Sequence, residues 1–389
     1  MIEVIAQLQR GSVFLAGEHI ECTLTIRNIV GEDNQVNRTE TLAWMSAQIH
    51  CQCSVSEARV GLAETSLLTT AEVTAATGND TSFVPSKGER GYPVLSTKPK
   101  ILFCDLKLQT GESKSYTYKE KIPLDAPPSF RGTAVKYSYK ITVGTQRLDS
   151  PIKLLRVPFR VLVVCGLNDM SVYNESEEMV GPSNPFLAYR KPENTVLDIA
   201  LQVLSMLTAR KGPNFYNITN TRGKVARFCL FKQAYRIGED VIGAFDFDQG
   251  TIPCVQYSVT LQSEEQISEG CRKKGTQGST ITSYTKQQEC CLHTIQTHIS
   301  VPIPLTASPA FQTDIVSLKW RLHFEFVTSL KPIEGPVMSN EPSEGSTWTG
   351  PEHLDVETMV WDLPIKVFAT NPLAASSVSL LRTCSSIAL

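Results

Sequence analysis

Apolar and polar residues alternate near the end of the chain, where residues 315–328 have the sequence IVSLKWRLHFEFVT. The apolar positions of this stretch are Val316, Leu318, Trp320, Leu322, Phe324 and Phe326. A period of two places these side chains on one face of a β-strand and the intervening residues on the other. We therefore predict that the apolar row forms the core of a domain. The opposite face, with Lys319 and Arg321, is either simply solvated or a docking surface for an acidic partner or for lipid headgroups.

The same alternation occurs twice in the chain. Residues 122–143 align without a gap on residues 303–324, with seven of 22 positions identical and the apolar rows in the same phase. Residues 14–26 also match residues 235–247, since both have an aromatic residue, then a Gly-Glu pair and then alternating apolar residues. A third pair of segments agrees, and all three follow the same order in both halves. We infer that one domain was duplicated in tandem.

Short strands in regular succession, separated by Gly- and Pro-containing turns, are typical of β-sandwiches. The predicted fold class is therefore all-β, with tandem immunoglobulin-like β-sandwich domains and one linker helix. The predicted boundaries are 1–166 for the N-terminal sandwich, 167–214 for a linker with an amphipathic helix at about 195–210, 215–370 for the C-terminal sandwich, and 371–389 for a flexible tail. Residues 263–290 and 330–357 lack apolar periodicity, so we expect long loops there.

The linker contains an apolar segment with helix signals at both ends. Thr195 followed by Asp198 resembles a capping box, and Gly212-Pro213 ends the pattern. The candidate binding residues on this helix are Val196, Leu197, Leu201, Leu204 and Leu207. Side chains this apolar gain free energy when they leave water. Three burial sites remain open: the protein's own sandwiches, the groove of a partner protein, or a membrane surface.

Composition narrows the function classes. The chain has 389 residues and a formal net charge of −2, so no global basic field favours nucleic-acid binding. No apolar run approaches the roughly 20 residues that span a bilayer. The N-terminal residues do not resemble a signal peptide. Eleven irregularly spaced cysteines indicate reduced thiols in the cytosol rather than a disulfide framework.

Motifs that carry catalysis or metal binding are weak in this sequence. In the HCQC stretch, His50 falls on the opposite face of a strand from Cys51 and Cys53, which continue an apolar row and suit the core. The CCLH stretch at 290–293 has no complementary pair of ligands elsewhere. The sequence contains no phosphate-binding loop and no nucleophile-elbow motif. We expect no catalytic residue, no metal and no cofactor.

Several longer segments resemble one known family. These segments are KILFCDLKLQTGESKSYTY (100–118), YNITNTRGKV (216–225), SLKWRLHFEFVTS (317–329), TWTGPE (347–352) and WDLPIKV (361–367). Together with the tandem sandwiches, they resemble the Rgp family within the arrestin-like superfamily. Rgp proteins are the smaller subunit of the Ric–Rgp complex, which acts on a Golgi Rab GTPase. The resemblance covers nearly the whole chain.

The resemblance implies a function, a partner and a location. It implies a non-catalytic scaffold subunit of a heterodimeric guanine-nucleotide exchange factor, with a large Ric-type subunit as obligate partner and a Golgi Rab GTPase as target. It also implies a role in retrograde endosome-to-Golgi transport, in the cytosol and at the cytoplasmic face of the Golgi membrane. Two other classes remain open. One is an arrestin-domain trafficking adaptor that binds cargo peptides at sheet edges, and the other is a secreted immunoglobulin-like protein glycosylated at Asn37 or Asn79.

Overall fold

A computed structural model of the chain describes residues 1–29, 39–61, 84, 86–147, 150–164, 196–333 and 352–389. The strands of the first half are β1 (Ile2–Leu8), β2 (Val13–Leu15), β3 (His19–Asn28), β4 (Glu40–Val55), β5 (Tyr92–Ser96), β6 (Lys100–Leu108), β7 (Ser113–Lys121), β8 (Phe130–Arg131), β9 (Val135–Arg147) and β10 (Lys153–Leu162). Those of the second half are β11 (Asn214–Thr219), β12 (Lys224–Leu230), β13 (Ala234–Arg236), β14 (Asp240–Asp246), β15 (Cys254–Ile267), β16 (Ser279–Cys290), β17 (Gln296–Pro302), β18 (Phe311–Gln312), β19 (Val316–Ser329), β20 (Val356–Phe368) and β21 (Cys384–Ala388). The described helices are α1 (Val196–Leu207) and α2 (Pro372–Ser377). The all-β fold class predicted from the sequence is confirmed.

The strands of the first half form two sheets that pack face to face. Sheet 1 has the order β21-β1-β3-β7, and sheet 2 has the order β2-β10-β9-β4-β5, with β6 paired to β4 and β8 paired to β9. The apolar rows of both sheets meet in one core, where Val4 and Leu24 of sheet 1 and Ile49 and Ile141 of sheet 2 are fully buried. The period-two burial along these strands follows directly from the alternating sequence.

The second half repeats this arrangement strand by strand. Sheet 3 has the order β11-β12-β14-β17, and sheet 4 has the order β13-β20-β19-β15-β16, with β18 paired to β19. Strands β12, β14 and β17 thus correspond to β1, β3 and β7, and strands β15, β19 and β20 correspond to β4, β9 and β10. Tyr137 and Leu318, which the sequence alignment places opposite each other, are 4% and 3% exposed. The predicted duplication with inward rows in phase is confirmed.

The Gly-Glu turns show the duplication at atomic detail. Gly17 and Gly238 both have a φ of +89°. A Cβ on Gly17 would lie 2.5 Å from Leu124, and a Cβ on Gly238 would lie 2.5 Å from Leu305. The left-handed backbone and the close approach of a leucine each require glycine at both positions.

The glutamates that follow these glycines are also equivalent. Glu18 accepts a hydrogen bond from the backbone N–H of Leu15 at 2.6 Å, and Glu239 accepts one from the backbone N–H of Arg236 at 3.0 Å. Each carboxylate therefore closes the turn between a short strand and the next long one. The Gly-Glu pairs therefore serve as turn residues in both domains.

The two domains share apolar surface where they meet. Ile267 and Phe311 of the second domain pack into the core of the first, and Val13 and Leu162 of the first pack into the core of the second. The ring of Phe311 lies 4.9 Å from that of Phe130, edge to face. Burial across the junction stabilises one relative position of the two sandwiches.

The C-terminal residues differ from the prediction. The sequence predicts a flexible tail over 371–389, whereas α2 and β21 order most of this segment. Strand β21 pairs with β1 in antiparallel register, from Glu3 opposite Ala388 to Gln7 opposite Cys384. It takes the edge of sheet 1 that β11 takes in sheet 3. The pairing satisfies backbone groups of β1 that a sheet edge otherwise leaves open, which the Ser-rich composition of the tail does not reveal.

The loop predicted at 263–290 is also wrong. These residues complete β15, pass through a short 3₁₀ turn at Glu269–Cys271 and form β16. Strand β16 is the edge of sheet 4 and is rich in Thr, Ser and Gln rather than apolar residues. Because such a strand is stabilised by its ladder to β15, it needs no strong apolar row. Residues 167–195 of the predicted linker lie outside the described residues, and so does most of the loop predicted at 330–357. The domain boundaries therefore stay predictions.

Candidate interaction surfaces

Helix α1 lies at the junction of the two domains. Its buried residues are Ala200, Val203 and Leu204. They belong to the same apolar cluster as Val13 and Leu162 of the first domain, and this cluster continues into the core of the second. The helix therefore packs on the protein's own sandwiches, one of the three burial sites that the sequence left open.

Polar contacts hold the last turn of α1 on the second domain. Arg236 donates from Nε to the hydroxyl of Thr208 at 3.0 Å and from Nη2 to the hydroxyl of Ser205 at 3.0 Å. Thr208 donates in turn to the carbonyl of Leu204 at 2.6 Å. The polar side of this turn therefore faces the protein, which leaves part of the apolar side open to solvent.

The five helix residues predicted as candidates consequently differ in burial. Leu204 is fully buried, Leu207 is 37% exposed, and Val196, Leu197 and Leu201 are partly buried. Contact of these residues with a partner or a membrane stays a prediction. Neither helix of the described part of the chain is long and apolar enough to cross a membrane.

The basic face of β19 is largely neutralised by its neighbours. Arg321 lies 3.1 Å from a carboxylate oxygen of Asp362 and donates to the side-chain oxygen of Gln262 at 3.0 Å. Lys319 is exposed and donates to Gln266 at 3.1 Å. The helix candidates lie at the domain junction and the β19 candidates on the outer face of sheet 4, so they form two separate features rather than one site.

On the outer face of sheet 2, three basic side chains contact the buried carboxylate of Glu89. It contacts Nε2 of His50 at 3.3 Å, Nε of Arg156 at 3.1 Å and the ammonium of Lys140. Nδ1 of His50 faces the hydroxyl of Thr142 at 3.3 Å. Burial alone would raise the pKa of Glu89, but the hydrogen bond and charge of Lys140 and the hydrogen bond of His50 hold that pKa below its ordinary value. Burial lowers the pKa of His50, which keeps it neutral.

The thiols next to His50 point the other way. Cys51 and Cys53 are fully buried in the first core. Burial raises the pKa of the Cys51 thiol to about 12 and also raises that of Cys53. Thiols in this state are poor nucleophiles and poor metal ligands, so the structure confirms the assignment of both to the core. Within the ranges that the structure describes, no group of three His, Cys, Asp or Glu residues is arranged to hold a metal.

A pocket of about 620 Å³ lies between the two domains. Its wall on the first domain includes Tyr92 and Val94 of β5, and its wall on the second includes Phe311 and Asp314. Strand β5 ends the order of sheet 2, so one of its edges borders this pocket without a further strand in the described residues. The pocket therefore combines apolar walls with a strand edge that no other described strand pairs with.

A shallow trough, which was not predicted from the sequence, lies on the outer face of sheet 3. Phe215, Cys229, Ala244 and His298 lie directly opposite one another on the four successive strands. They line a concavity of about 390 Å³. The small side chains of Cys229 and Ala244 form its floor, and Phe215, 55% exposed, forms one rim. We call this row of four residues the apolar trough.

Two guanidinium groups border the apolar trough. Arg227 lies over the ring of Phe215, with its Cζ 4.2 Å from the ring centroid. Arg210, just beyond α1, lies over the ring of Phe231 at 5.5 Å. Burial raises the pKa of the Cys229 thiol, and the charges of Arg227 and Arg210 act against this rise. Both cations therefore lie close to the floor of the trough.

Comparison with known proteins gives a family match over most of the chain. The Rgp1 family model matches residues 27–170 and 171–329. The human protein named RAB6A-GEF complex partner protein 2 is 49% identical over 386 residues, which cover 97% of this chain and 97% of that protein. The cattle protein of the same name is 49% identical over 381 residues, which cover 95% of each chain.

Proposed function

Because the chain belongs to the Rgp1 family, we propose that it is a non-catalytic scaffold subunit of a guanine-nucleotide exchange factor for a Golgi Rab GTPase. The observation that carries this proposal is the 49% identity to the human RAB6A-GEF complex partner protein 2 along 97% of both chains. Because the similarity spans both sandwiches, it applies to the whole two-domain chain and not to one sandwich alone. The proposed obligate partner is a large Ric-type subunit.

The chemistry of nucleotide exchange suits a protein of this kind. An exchange factor accelerates nucleotide release because it binds the nucleotide-free GTPase better than the nucleotide-bound form. The required contribution is differential binding energy, and no covalent or acid–base step is involved. A subunit can supply this energy indirectly, by holding the partner subunit in the conformation that binds the GTPase.

The junction of the two sandwiches supports a scaffold role. The two domains share apolar surface, and Arg160 of the first donates hydrogen bonds to the backbone carbonyls of Leu305 and Ala307 at 3.3 and 2.5 Å. Tyr137 and Thr313 form a further hydroxyl–hydroxyl bond at 3.1 Å. A double sandwich fixed in this way offers a partner surfaces whose mutual positions are already set, which lowers the entropy lost on binding.

The proposal includes a place and a process. We propose that the complex acts in retrograde transport from endosomes to the Golgi, with this subunit in the cytosol and peripherally at the cytoplasmic face of the Golgi membrane. Part of the apolar side of α1 is buried in the protein's own domains and is not available to a membrane. We therefore expect binding of this subunit to the membrane to depend on the partner and the GTPase. Fractionation of cells with and without the partner tests this dependence.

Affinity purification of the tagged chain from cells, followed by mass spectrometry, tests the proposed function. We expect one stoichiometric partner much larger than this chain, together with a Rab GTPase when nucleotide is removed by chelation of magnesium. Recovery of the chain alone would contradict the proposal. An untagged chain and a tagged unrelated β-sandwich protein serve as controls for nonspecific recovery.

The open edge of β5 favours a second candidate function, a trafficking adaptor that binds cargo peptides. An extended peptide would add a strand beside Tyr92–Ser96, with its side chains in the pocket between the domains. This alternative predicts recovery of many clients that share a short motif. A proline at Val94 would weaken such binding, and the large partner would be retained.

A further inference from the structure

We propose that the apolar trough of sheet 3 is the surface on which the larger subunit docks, through a ridge of aliphatic side chains flanked by carboxylates. This inference rests on the proposed function, because it assigns a surface to the partner of the exchange factor. Three observations carry it: the composition of the trough compared with its duplicate, the charges at its border, and its shape.

Sheet 1 of the first domain, which is equivalent to sheet 3, shows what a solvent-exposed sheet face of this fold looks like. In sheet 1 the row equivalent to the apolar trough consists of Cys384, Gln7, Thr23 and Thr117, again directly opposite one another on four strands. Three of these four side chains are polar. In sheet 3, Ala244 replaces Thr23 in the alignment that matches the two Gly-Glu turns, and a phenylalanine lies at the position of Cys384. The fold therefore does not demand an apolar row here.

The neighbouring row shows the same change. In sheet 1, Glu21 lies opposite Lys119, and their charged groups are 2.7 Å apart. In sheet 3 the equivalent positions are Ile242 and Ser300, which also lie opposite each other. Ile242 is 46% exposed. An ion pair typical of a solvated surface is thus replaced by an exposed aliphatic residue, which extends the apolar area beside Ala244.

Apolar residues grouped on an otherwise solvated sheet face indicate a binding surface. Phe215 and Ile242 together expose large side chains that cost free energy in water. Neither belongs to the core on the other side of the sheet, where Phe228 and Phe245 are fully buried. Their exposure is therefore not needed for folding and is explained by contact with another molecule.

The stacked guanidinium group at the border favours an acidic occupant. Arg227 stacks on Phe215. Asp246 lies opposite it on β14 and also lines the trough, but among the described residues no carboxylate forms an ion pair with Arg227. A guanidinium group that rests on an aromatic ring keeps its donor edge free for a planar acceptor. Carboxylates beside an aliphatic ridge of the partner would bind this edge, and apolar side chains would fill the floor over Cys229 and Ala244.

The shape of the trough favours a convex protein element over an extended peptide. Its floor is made of small side chains, and Phe215 rises at one rim and His298 at the other. A row of aliphatic side chains on a helix forms a ridge that fits a groove of this kind. Partner residues seated on Phe215 and Arg227 would dominate the binding energy, since aromatic and arginine side chains are the usual hot spots.

Co-purification with the large partner recovered in the affinity experiment tests this assignment. Ala244→Glu places a charge on the floor, Arg227→Glu reverses the charge at the border, and Phe215→Ser removes a rim side chain that is more than half exposed. The matched control is Thr23→Glu, at the position of sheet 1 equivalent to Ala244. Lys366→Glu is a second control, because it reverses an exposed charge on β20, in the other sheet of the same domain.

We expect each trough variant to lower recovery of the partner by at least about tenfold, with both controls at the wild-type level. Far-ultraviolet circular dichroism and the thermal midpoint establish that each variant folds. If Ala244→Glu does not fold, Phe215→Ser still tests the inference, because the ring of Phe215 lies outside the core. Wild-type recovery with Phe215→Ser and Arg227→Glu would overturn the inference while the proposed function stands.

Two further outcomes are distinguishable. If the wild-type chain recovers no large partner, the proposed function itself fails. If the trough variants keep the partner but lose binding to vesicles of phosphatidylcholine with phosphatidylserine, the trough meets lipid, and the inference is overturned. The ionic-strength dependence of partner release gives an independent readout. We expect Arg227→Gln to flatten it, because one charge pair is lost.

Discussion

The carboxylate of Glu265, in the second domain, accepts hydrogen bonds from both the backbone N–H and the hydroxyl of Thr133, in the first, at 2.7 and 2.8 Å. The same carboxylate accepts the backbone N–H groups of Ala134 at 3.0 Å and Val135 at 3.2 Å. Glu265 is 5% exposed. One side chain thus satisfies the turn that begins β9 and ties the two sandwiches together.

Substitution of Glu265 by alanine is expected to destabilise the junction. It leaves the buried N–H groups of Ala134 and Val135 and the partly buried N–H of Thr133 without this acceptor, so we expect the free energy of unfolding to fall by about 2–4 kcal/mol. Urea denaturation followed by tryptophan fluorescence measures this change. Glu264→Ala, at the neighbouring position on the opposite face of β15, is the matched control. Equal midpoints for the two variants would contradict the structural role of Glu265.

The Glu89 cluster predicts a loss of stability on acidification. Because burial lowers the pKa of His50, the unfolded chain takes up a proton as the pH falls through about 6.5, and the folded chain does not. The pKa of Glu89 is also lowered, so its contribution is present above about pH 4.5 and is lost as the pH falls through the folded value. Both effects reduce stability at low pH.

His50→Gln isolates the first of these two steps. Glutamine keeps a donor for Glu89 and an acceptor for the hydroxyl of Thr142, but it does not titrate. We expect the free energy of unfolding of the wild type to fall more steeply than that of the variant between about pH 7 and 5. Chemical denaturation at several pH values gives both curves. Parallel curves would show that His50 does not contribute to the acid dependence.

Removal of residues 379–389 is expected to weaken the first domain. The truncation deletes β21, including Ile387 and Leu389, which pack against the first core, and it exposes the edge of β1. We expect a loss of about 2–4 kcal/mol from the lost apolar burial, and self-association through the open edge. Thermal unfolding and sedimentation velocity measure the two effects. An unchanged melting temperature would mean that β21 does not stabilise sheet 1.

Two leucines in the last turn of α1, Leu204 and Leu207, are expected to respond differently to substitution by alanine. Leu204 is fully buried at the domain junction, so Leu204→Ala should cost about 2–5 kcal/mol. Leu207 is 37% exposed, so Leu207→Ala should change the free energy of unfolding by less than about 0.5 kcal/mol. Binding assays of the helix therefore need variants at Leu207, since variants at Leu204 also alter the fold. Equal costs for both would contradict the observed docking of α1.

The sequence predicted the parts of the fold that alternate and repeat. The inward row from Val316 to Phe326 follows from a period of two, and the equivalence of Gly17 with Gly238 follows from the alignment of the halves. The tail was not predictable in this way, because the pairing of β21 with β1 joins segments nearly a whole chain apart. Strand β16 was missed for a related reason, since a polar edge strand lacks the apolar signal on which such predictions depend.

The apolar trough shows where sequence reasoning about the surface ends. Phe215 is followed by a second aromatic residue, Tyr216, and which of the two faces outward depends on the register of β11 with β12. Ala244 and Cys229 form a floor only because the register of β12 with β14 places them side by side. Lys319 and Arg321 were easier to single out as a basic face, yet the carboxylate of Asp362, on a different strand, neutralises much of it.

Release of a fluorescent guanine nucleotide from the proposed Golgi Rab GTPase tests the scaffold function most directly. The assay compares three samples: this chain alone, the large partner alone, and the reconstituted complex. We predict that the chain alone leaves the release rate at its intrinsic value, that the complex accelerates release, and that the partner alone is slower than the complex. Acceleration by the chain alone, or equal rates for the partner with and without this chain, would contradict the proposed scaffold function.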